Sequence, residues 1–205
     1  IYERGGNILH AQQHKEELDN RFFMRVHFDC SEMNVTKSQF LKELQDLAHS
    51  FNMETNLSFE DERKRMAIMV SKYDHCLYDL FLKHKYGEIK ADIALVVSNH
   101  PDLEYVAESF NTPFFFIPVT PETKPEAEAK AMELFEKHYV DFIVLARYMQ
   151  ILTPTFVNAY RNRIINVHHS FLPAFAGAKP YHQAYERGVK LIGATSHYVT
   201  EELDE

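Results

Sequence analysis

The sequence predicts an α/β protein whose larger part is a doubly wound, mostly parallel sheet, and three observations carry that reading. Nearly continuous apolar runs of strand length recur at Met66–Ser71, Asp92–Ser98, Pro113–Val119, Asp141–Ala146 and Arg163–Val167. Helix-like stretches stand between most of them, at Asp74–Lys85, Asp102–Phe110 and Pro125–His138. Strands that are apolar on both faces belong to parallel sheets covered by helices on both sides. The runs also end in polar residues: Ser71, Ser98-Asn99-His100, Arg147-Tyr148-Met149 and Asn166-Val167-His168. Ligands of such sheets sit beyond the carboxyl ends of the strands, so the architecture directs attention to these positions.

The first 60 residues have a different rhythm and predict a separate α+β domain. The chain opens as a helix at Ile1 and turns, through Gly5 and Gly6, into an extended segment reaching His14. Arg21–Cys30 alternates, with Phe22, Met24, Val26 and Phe28 set against Phe23, Arg25, His27 and Asp29, the period of a half-buried strand. From Thr36 to Phe51, residues Phe40, Leu41, Leu44, Leu47, Ala48 and Phe51 fall on one face of a helix, with Thr36 or Ser38 able to cap its start. Met53–Phe59 reads as a second strand. The charged stretch 61–65 is the expected linker, and 66–205 the second domain. Within the latter, Ala127, Ala131, Leu134 and Phe135 share one helix face.

Composition narrows the function. The chain of 205 residues carries 30 acidic against 22 basic side chains, a net charge of −8, which argues against a nucleic-acid partner. No apolar stretch is long enough to span a bilayer, so no membrane partner is expected. Two cysteines, Cys30 and Cys76, lie far apart without a C-x-x-C pattern, and a reduced, cytoplasmic setting is the expectation.

The chemistry gathers in the last forty or so residues. Asn166 can offer an N–H to a developing oxyanion, His168 can move a proton, and Asp204 can orient the imidazole and stabilise its charged form. Each has an ordinary alternative: Asn is a common turn or cap residue, and Asp204 sits in an acidic E-E-L-D-E run that solvent alone would explain. His168 and His169 are adjacent, so in extended chain only one of them enters a site. His168, His169, His182 and His197 follow no zinc-ligand spacing, and Glu186 is the only acid interleaved among them, so no metal is expected. Cys76 reads as a small, buried residue rather than a nucleophile.

N-V-H-H-S-F-L-P-A-F-x-G, then G-V-K-x-x-G-A-T-x-H, then L-D-E, resemble the folate-dependent formyltransferases, and the likeness extends over nearly the whole chain. Within that group the chain resembles the members that hydrolyse the formyl group instead of passing it on. The resemblance implies Asn166, His168 and Asp204 as the catalytic residues. It implies a pterin pocket in Arg147–Leu152, walled by Met149, Ile151, Leu152 and Val157, with Gln150 where the ribonucleotide transferases tend to carry Arg. Thr200, Glu201 and Leu203 would supply backbone hydrogen bonds to the pterin ring. His197 would support the pocket near Asp204, and Pro173 and Gly177 would shape a loop forming its wall.

The implied reaction splits 10-formyltetrahydrofolate into formate and tetrahydrofolate, feeding one-carbon and purine metabolism, with folate as substrate and no cofactor. The alternatives are transfer to an amine such as glycinamide ribonucleotide, and an inactive amino-acid sensor. The turn Ser71-Lys72-Tyr73-Asp74 stands where transferases carry a Gly-rich phosphate cradle, and Asp74 is expected to cap the following helix. Residues 1–60 resemble an ACT-type regulatory domain lacking its first strand, which implies a homo-oligomer and a small amino-acid effector. By the same resemblance, a strand would precede Ile1 and a Gly-Pro-Ile strand would follow Glu205.

Overall fold

The computed structural model describes every residue except 18, 19, 169, 173, 176, 178 and 203–205. It divides into two compact units, 1–60 and 61–205.

In the first unit a 3-10 turn, Tyr2–Arg4, ends at Gly5, whose φ of 84° and 2.6 Å approach of the Glu32 carbonyl to a hypothetical Cβ leave room for glycine alone. Strands β1 (Asn7–Glu16) and β2 (Arg21–Asp29) form an antiparallel hairpin, from Asn7 opposite Asp29 to Glu16 opposite Arg21, with a register shift between Ile8 and His10. Helix α1 (Lys37–Ser50) starts on a capping box: Thr36 Oγ1 accepts the Gln39 N–H at 3.2 Å, and Gln39 Oε1 accepts the Thr36 N–H at 3.1 Å. It buries Phe40 and Ala48, with the Phe40 ring 5.6 Å from that of Phe28.

Two expectations are corrected here. Residues 53–59 form no strand and are mostly exposed. A strand exists only by exchanging backbone hydrogen bonds with a neighbour, and among the described residues this stretch pairs with none. The partner of β2 is instead β1, whose polar run N-I-L-H-A-Q-Q-H-K-E lacks the alternation that marks strands. The proposed linker is also too long. Strand β3 (Lys64–Val70) already includes Lys64 and Arg65, which pair with Ala91 and Asp92, and the Arg65 N–H donates to Asp141 Oδ2 at 2.7 Å.

The second unit continues with α2 (His75–Lys85), β4 (Ala91–Ser98), α3 (Glu104–Ser109), β5 (Phe114–Phe116), α4 (Lys124–Lys137), β6 (Phe142–Ala146), α5 (Pro154–Ala159), β7 (Ile164–His168), α6 (Pro180–Glu186) and β8 (Thr195–Tyr198). The sheet runs β5-β4-β3-β6-β7-β8, with every neighbour parallel except β8. Alternate side chains of β3 feed two cores. Met66, Ile68 and Val70 pack with Leu77 and Phe81 of α2 and Val106 of α3, while Ala67 and Met69 pack with Phe135 of α4 and Phe156 of α5. Each fully buried large side chain of this kind contributes about 1.5–3 kcal/mol, which is why the central strand tolerates no polar residue between Met66 and Val70.

The chain lays β3, β4 and β5 outward in one direction and then places β6 on the other side of β3. That reversal opens a crevice at the carboxyl ends of β3 and β6, where Ser71 and Arg147 follow. Asp74 stands at the start of α2, but its side chain makes no capping hydrogen bond, against expectation. Its own backbone is helical rather than extended, so the carboxylate is not aimed at the N–H groups ahead of it.

Candidate active site

Strand β7 carries Asn166 and His168 two residues apart, hence on one face and about 7 Å apart along the strand. Antiparallel pairing with β8 sets His197 opposite Asn166 and Thr195 opposite His168, on that same face. The Asn166 amide nitrogen lies 3.3 Å from Nε2 of His197. With the amide as donor, neutral His197 carries its proton on Nδ1, a buried atom that has no partner among the described residues. The amide group has two hydrogens, so Asn166 retains a second N–H for a substrate oxygen.

His168 is 6% exposed. Its Nε2 lies 2.9 Å from the carbonyl oxygen of Phe175. A carbonyl only accepts, so Nε2 bears the hydrogen, and Nδ1 is the basic nitrogen of the neutral ring. The same carbonyl accepts the Ser170 hydroxyl at 2.9 Å. Thr195 Oγ1 donates to the Ser170 carbonyl at 2.7 Å and accepts the Leu172 N–H at 3.0 Å. The loop after β7 is thereby tied back to β8, and the imidazole is oriented by backbone that the loop presents. No residue-type pattern announces a backbone carbonyl as the orienting group. Its only trace in the sequence is the L-P-A-F segment itself.

Gly177, in the same loop, has a φ of 82°, a backbone conformation side chains resist. His169, Pro173, Leu203 and Asp204 lie outside the described residues.

The expected pterin segment follows β6. Met149 and Ile151 are 61% and 63% exposed, Leu152 packs against the core beneath, and Val157 is 4% exposed on α5, inside the fold behind the segment. Gln150 is half-buried. Thr200 and Glu201 are exposed just beyond β8, and Thr200 Oγ1 donates to the Glu202 carbonyl at 3.0 Å. Val199, Tyr148 and Leu152 pack against one core cluster, which brings the β8 end and the β6 loop to the same region.

The backbone of that segment is held from beneath. The Met149 N–H donates to Ser71 Oγ at 3.0 Å, and the Ser71 hydroxyl donates to Asn99 Oδ1 at 2.7 Å, so the ends of β3, β4 and β6 are linked through one buried serine. Arg147 adopts a left-handed φ of 55° and sets its guanidinium 4.6 Å over the Tyr73 ring. The turn Ser71–Asp74 is thus linked to the β6 loop through the side chains of Ser71 and Tyr73. Sequence position suggested these residues, but not their links. Burial, and secondly the Glu128 carboxylate, push the Tyr148 phenol up to about 12. Burial likewise raises the Cys76 thiol, in keeping with an inert packing residue.

A cavity of about 530 Å³ opens between α4 and α5 around Met132, Tyr139, Tyr160 and Arg163. It sits at the amino ends of β6 and β7 and contains none of the candidate residues. Among the described residues no cluster of three or more His, Cys, Asp or Glu that could hold a metal ion is present, and no helix is long and apolar enough to cross a membrane.

Comparison with known proteins shows the family to which the chain belongs. The sequence profile of the family described as formyl transferase matches residues 64–205. Over its whole length the chain is 50% identical to the formyltetrahydrofolate deformylase of Bacillus subtilis (strain 168), covering 69% of that protein. The crystal structure of a formyltetrahydrofolate deformylase from Pseudomonas syringae pv. tomato superposes with a TM-score of 0.92 at 43% identity, over 99% of this chain and 68% of that one. Glycinamide ribonucleotide transformylase 1 from Symbiobacterium toebii superposes at a TM-score of 0.65 and 32% identity, over 74% of this chain and 73% of its own.

Proposed function

Because the chain belongs to the formyl transferase family, we propose that it splits 10-formyltetrahydrofolate into formate and tetrahydrofolate. One observation carries the choice of water over an amine as acceptor. Similarity to a deformylase runs through all 205 residues at 50% identity, whereas the likeness to a transformylase covers 74% of the chain.

The site residues suit the step. Water adds to the formyl carbon, and the carbonyl oxygen becomes an oxyanion that accepts the spare Asn166 N–H. His168, oriented through Nε2 by the Phe175 carbonyl, moves the proton that the water loses and the departing N10 amine gains. The C–N bond breaks, and formate and tetrahydrofolate leave. Asp204 is assigned the role of orienting His168, stabilising the imidazolium that forms when the ring takes the proton, and holding the water in place. Met149, Gln150, Ile151 and Leu152 form the slot for the pterin, an apolar surface edged by backbone donors from Thr200 to Leu203. His197 fixes the Asn166 amide. Folate is the substrate, and no cofactor enters the reaction. Formate released in this way is a one-carbon unit that purine synthesis consumes. A cytoplasmic setting goes with the reading, since Cys30 and Cys76 are both free thiols.

Residues 1–60 are assigned to assembly and regulation, as an ACT-like unit. The hairpin exposes Ile8, Leu9, Phe22, Phe23 and Met24, an apolar display that a second copy of the chain would cover, with a small amino acid bound at the junction.

The test supplies 10-formyltetrahydrofolate with and without saturating glycinamide ribonucleotide and assays both products. Formate release unaffected by the amine supports hydrolysis. Formylated ribonucleotide as the main product would show a transferase.

A further inference from the structure

Glu128 lies on α4, among core residues, at 5% exposure. Burial of an ionised carboxylate is unfavourable unless hydrogen bonds replace its water, and an apolar side chain would fill the same space without that penalty. The bonds that replace its water are specific. The Thr153 N–H reaches Oε1 at 3.1 Å and Oε2 at 3.4 Å, and the Thr153 hydroxyl donates to Oε2. That hydroxyl in turn accepts the Phe156 N–H at 3.3 Å and starts α5. One helical turn earlier, the Lys124 amine donates to the Ile151 carbonyl.

The segment between β6 and α5 is therefore held at both ends: by Ser71 at Met149, and by Lys124 and Glu128 at Ile151 and Thr153. Between these anchors, the Met149 and Ile151 side chains stay largely exposed. A fixed backbone that presents uncovered apolar side chains is a preformed wall for a flat apolar ligand.

We propose that Glu128 is a positioning residue for the substrate slot: its buried carboxylate sets the course of residues 149–153 and so the placement of the pterin wall. This rests on the folate reading above. The residue touches neither substrate nor reacting atoms. Its loss weakens binding and leaves the chemical step at Asn166 and His168 alone.

Glu128→Gln keeps the volume and one acceptor oxygen for the Thr153 N–H, but sets an NH2 group where Oε2 accepted the Thr153 hydroxyl. KM for 10-formyltetrahydrofolate should rise on the order of tenfold, the scale of a lost hydrogen bond to a charged group. The kcat should stay within about twofold, the signature of binding lost equally from ground and transition states. Calorimetric titration with tetrahydrofolate should show Kd weakened by the same factor as KM. Should the Gln variant not melt cooperatively, Thr153→Val, which deletes only the hydroxyl, carries the same expectation, and Thr153→Ser should bind as wild type. A folded variant with unchanged KM and Kd, or one that loses kcat at constant KM, would overturn the proposal. Wild-type protein that releases no formate would instead overturn the assigned reaction, while the tetrahydrofolate titration would still decide the role of Glu128.

Discussion

Nδ2 of Asn166 lies 3.3 Å from Nε2 of His197, the two side chains facing each other across the paired strands β7 and β8. With the amide as donor, the contact sets which way the group points, and therefore where its remaining N–H is presented. Asn166→Ala should lower kcat for formate release by about two to three orders of magnitude, as removal of an oxyanion donor does. His197→Ala leaves the amide in place but free to rotate. Its loss should be smaller, roughly tenfold, because orientation rather than the donor itself is removed. Steady-state assays on both variants, with circular dichroism to check folding, read the difference. Equal losses would mean that His197 acts directly on substrate.

Ser71 offers a second test. Its oxygen accepts the Met149 N–H and its hydrogen goes to Asn99. Ser71→Ala strands a part-buried N–H and a buried amide oxygen, and the buried group left unpaired costs about 1–3 kcal/mol. The urea midpoint should fall, and folate affinity should fall with it, because Met149 belongs to the same wall. An unchanged midpoint would mean that water replaces the hydroxyl.

Tyr148 titrates late. Its pKa rises from 10.0 to about 12, first by burial and then by the Glu128 charge. The sign follows from linkage: the folded state holds the phenolic proton more tightly than the unfolded chain does. That stabilisation is complete below about pH 10 and is lost as pH climbs through about 12, amounting to roughly 2–3 kcal/mol. Wild-type stability measured by urea denaturation should therefore fall over this range by more than that of Tyr148→Phe. Parallel losses would place the ring in a wetter environment.

Gly193 lies under an aromatic ring. A Cβ there would sit 2.4 Å and 2.7 Å from two ring carbons of Phe171. Gly193→Ala must displace that ring from the loop after β7, and overpacking of this sort costs about 1–3 kcal/mol. Tm should drop, and formate release should slow, since the displaced ring belongs to the loop that orients His168. A variant as stable as wild type would show that Phe171 moves freely.

The sequence by itself determined the parallel sheet, because strands buried on both faces must be written as apolar runs, and Met66–Val70, Ala94–Val97 and Phe142–Ala146 are. It also determined where to look, since the polar residues that end those runs had to gather at one edge. It did not disclose β1, whose polar residues carry no alternation and which is a strand only through its ladder to β2. Nor did it disclose the strandless course of residues 53–59, which alternate suitably but pair with no strand among the described residues. The short elements α5, α6 and β8 also escaped it, being too brief for a period to show.

In the site, residue types offered Asn166, His168 and Asp204 as candidates, and the resemblance to the formyltransferases assigned them their roles. Only the folded chain could decide what orients Asn166 and His168, because the orienting groups come from elsewhere: a carbonyl seven residues on, an imidazole thirty-one residues on, and a strand that returns antiparallel. Glu128 and Lys124 were silent for the same reason, and Ser71 was marked by its place at a strand end but not by its partners. Their hydrogen bonds span 25, 27 and 78 residues, and separations of that length are set by how the sheet closes, not by any local pattern.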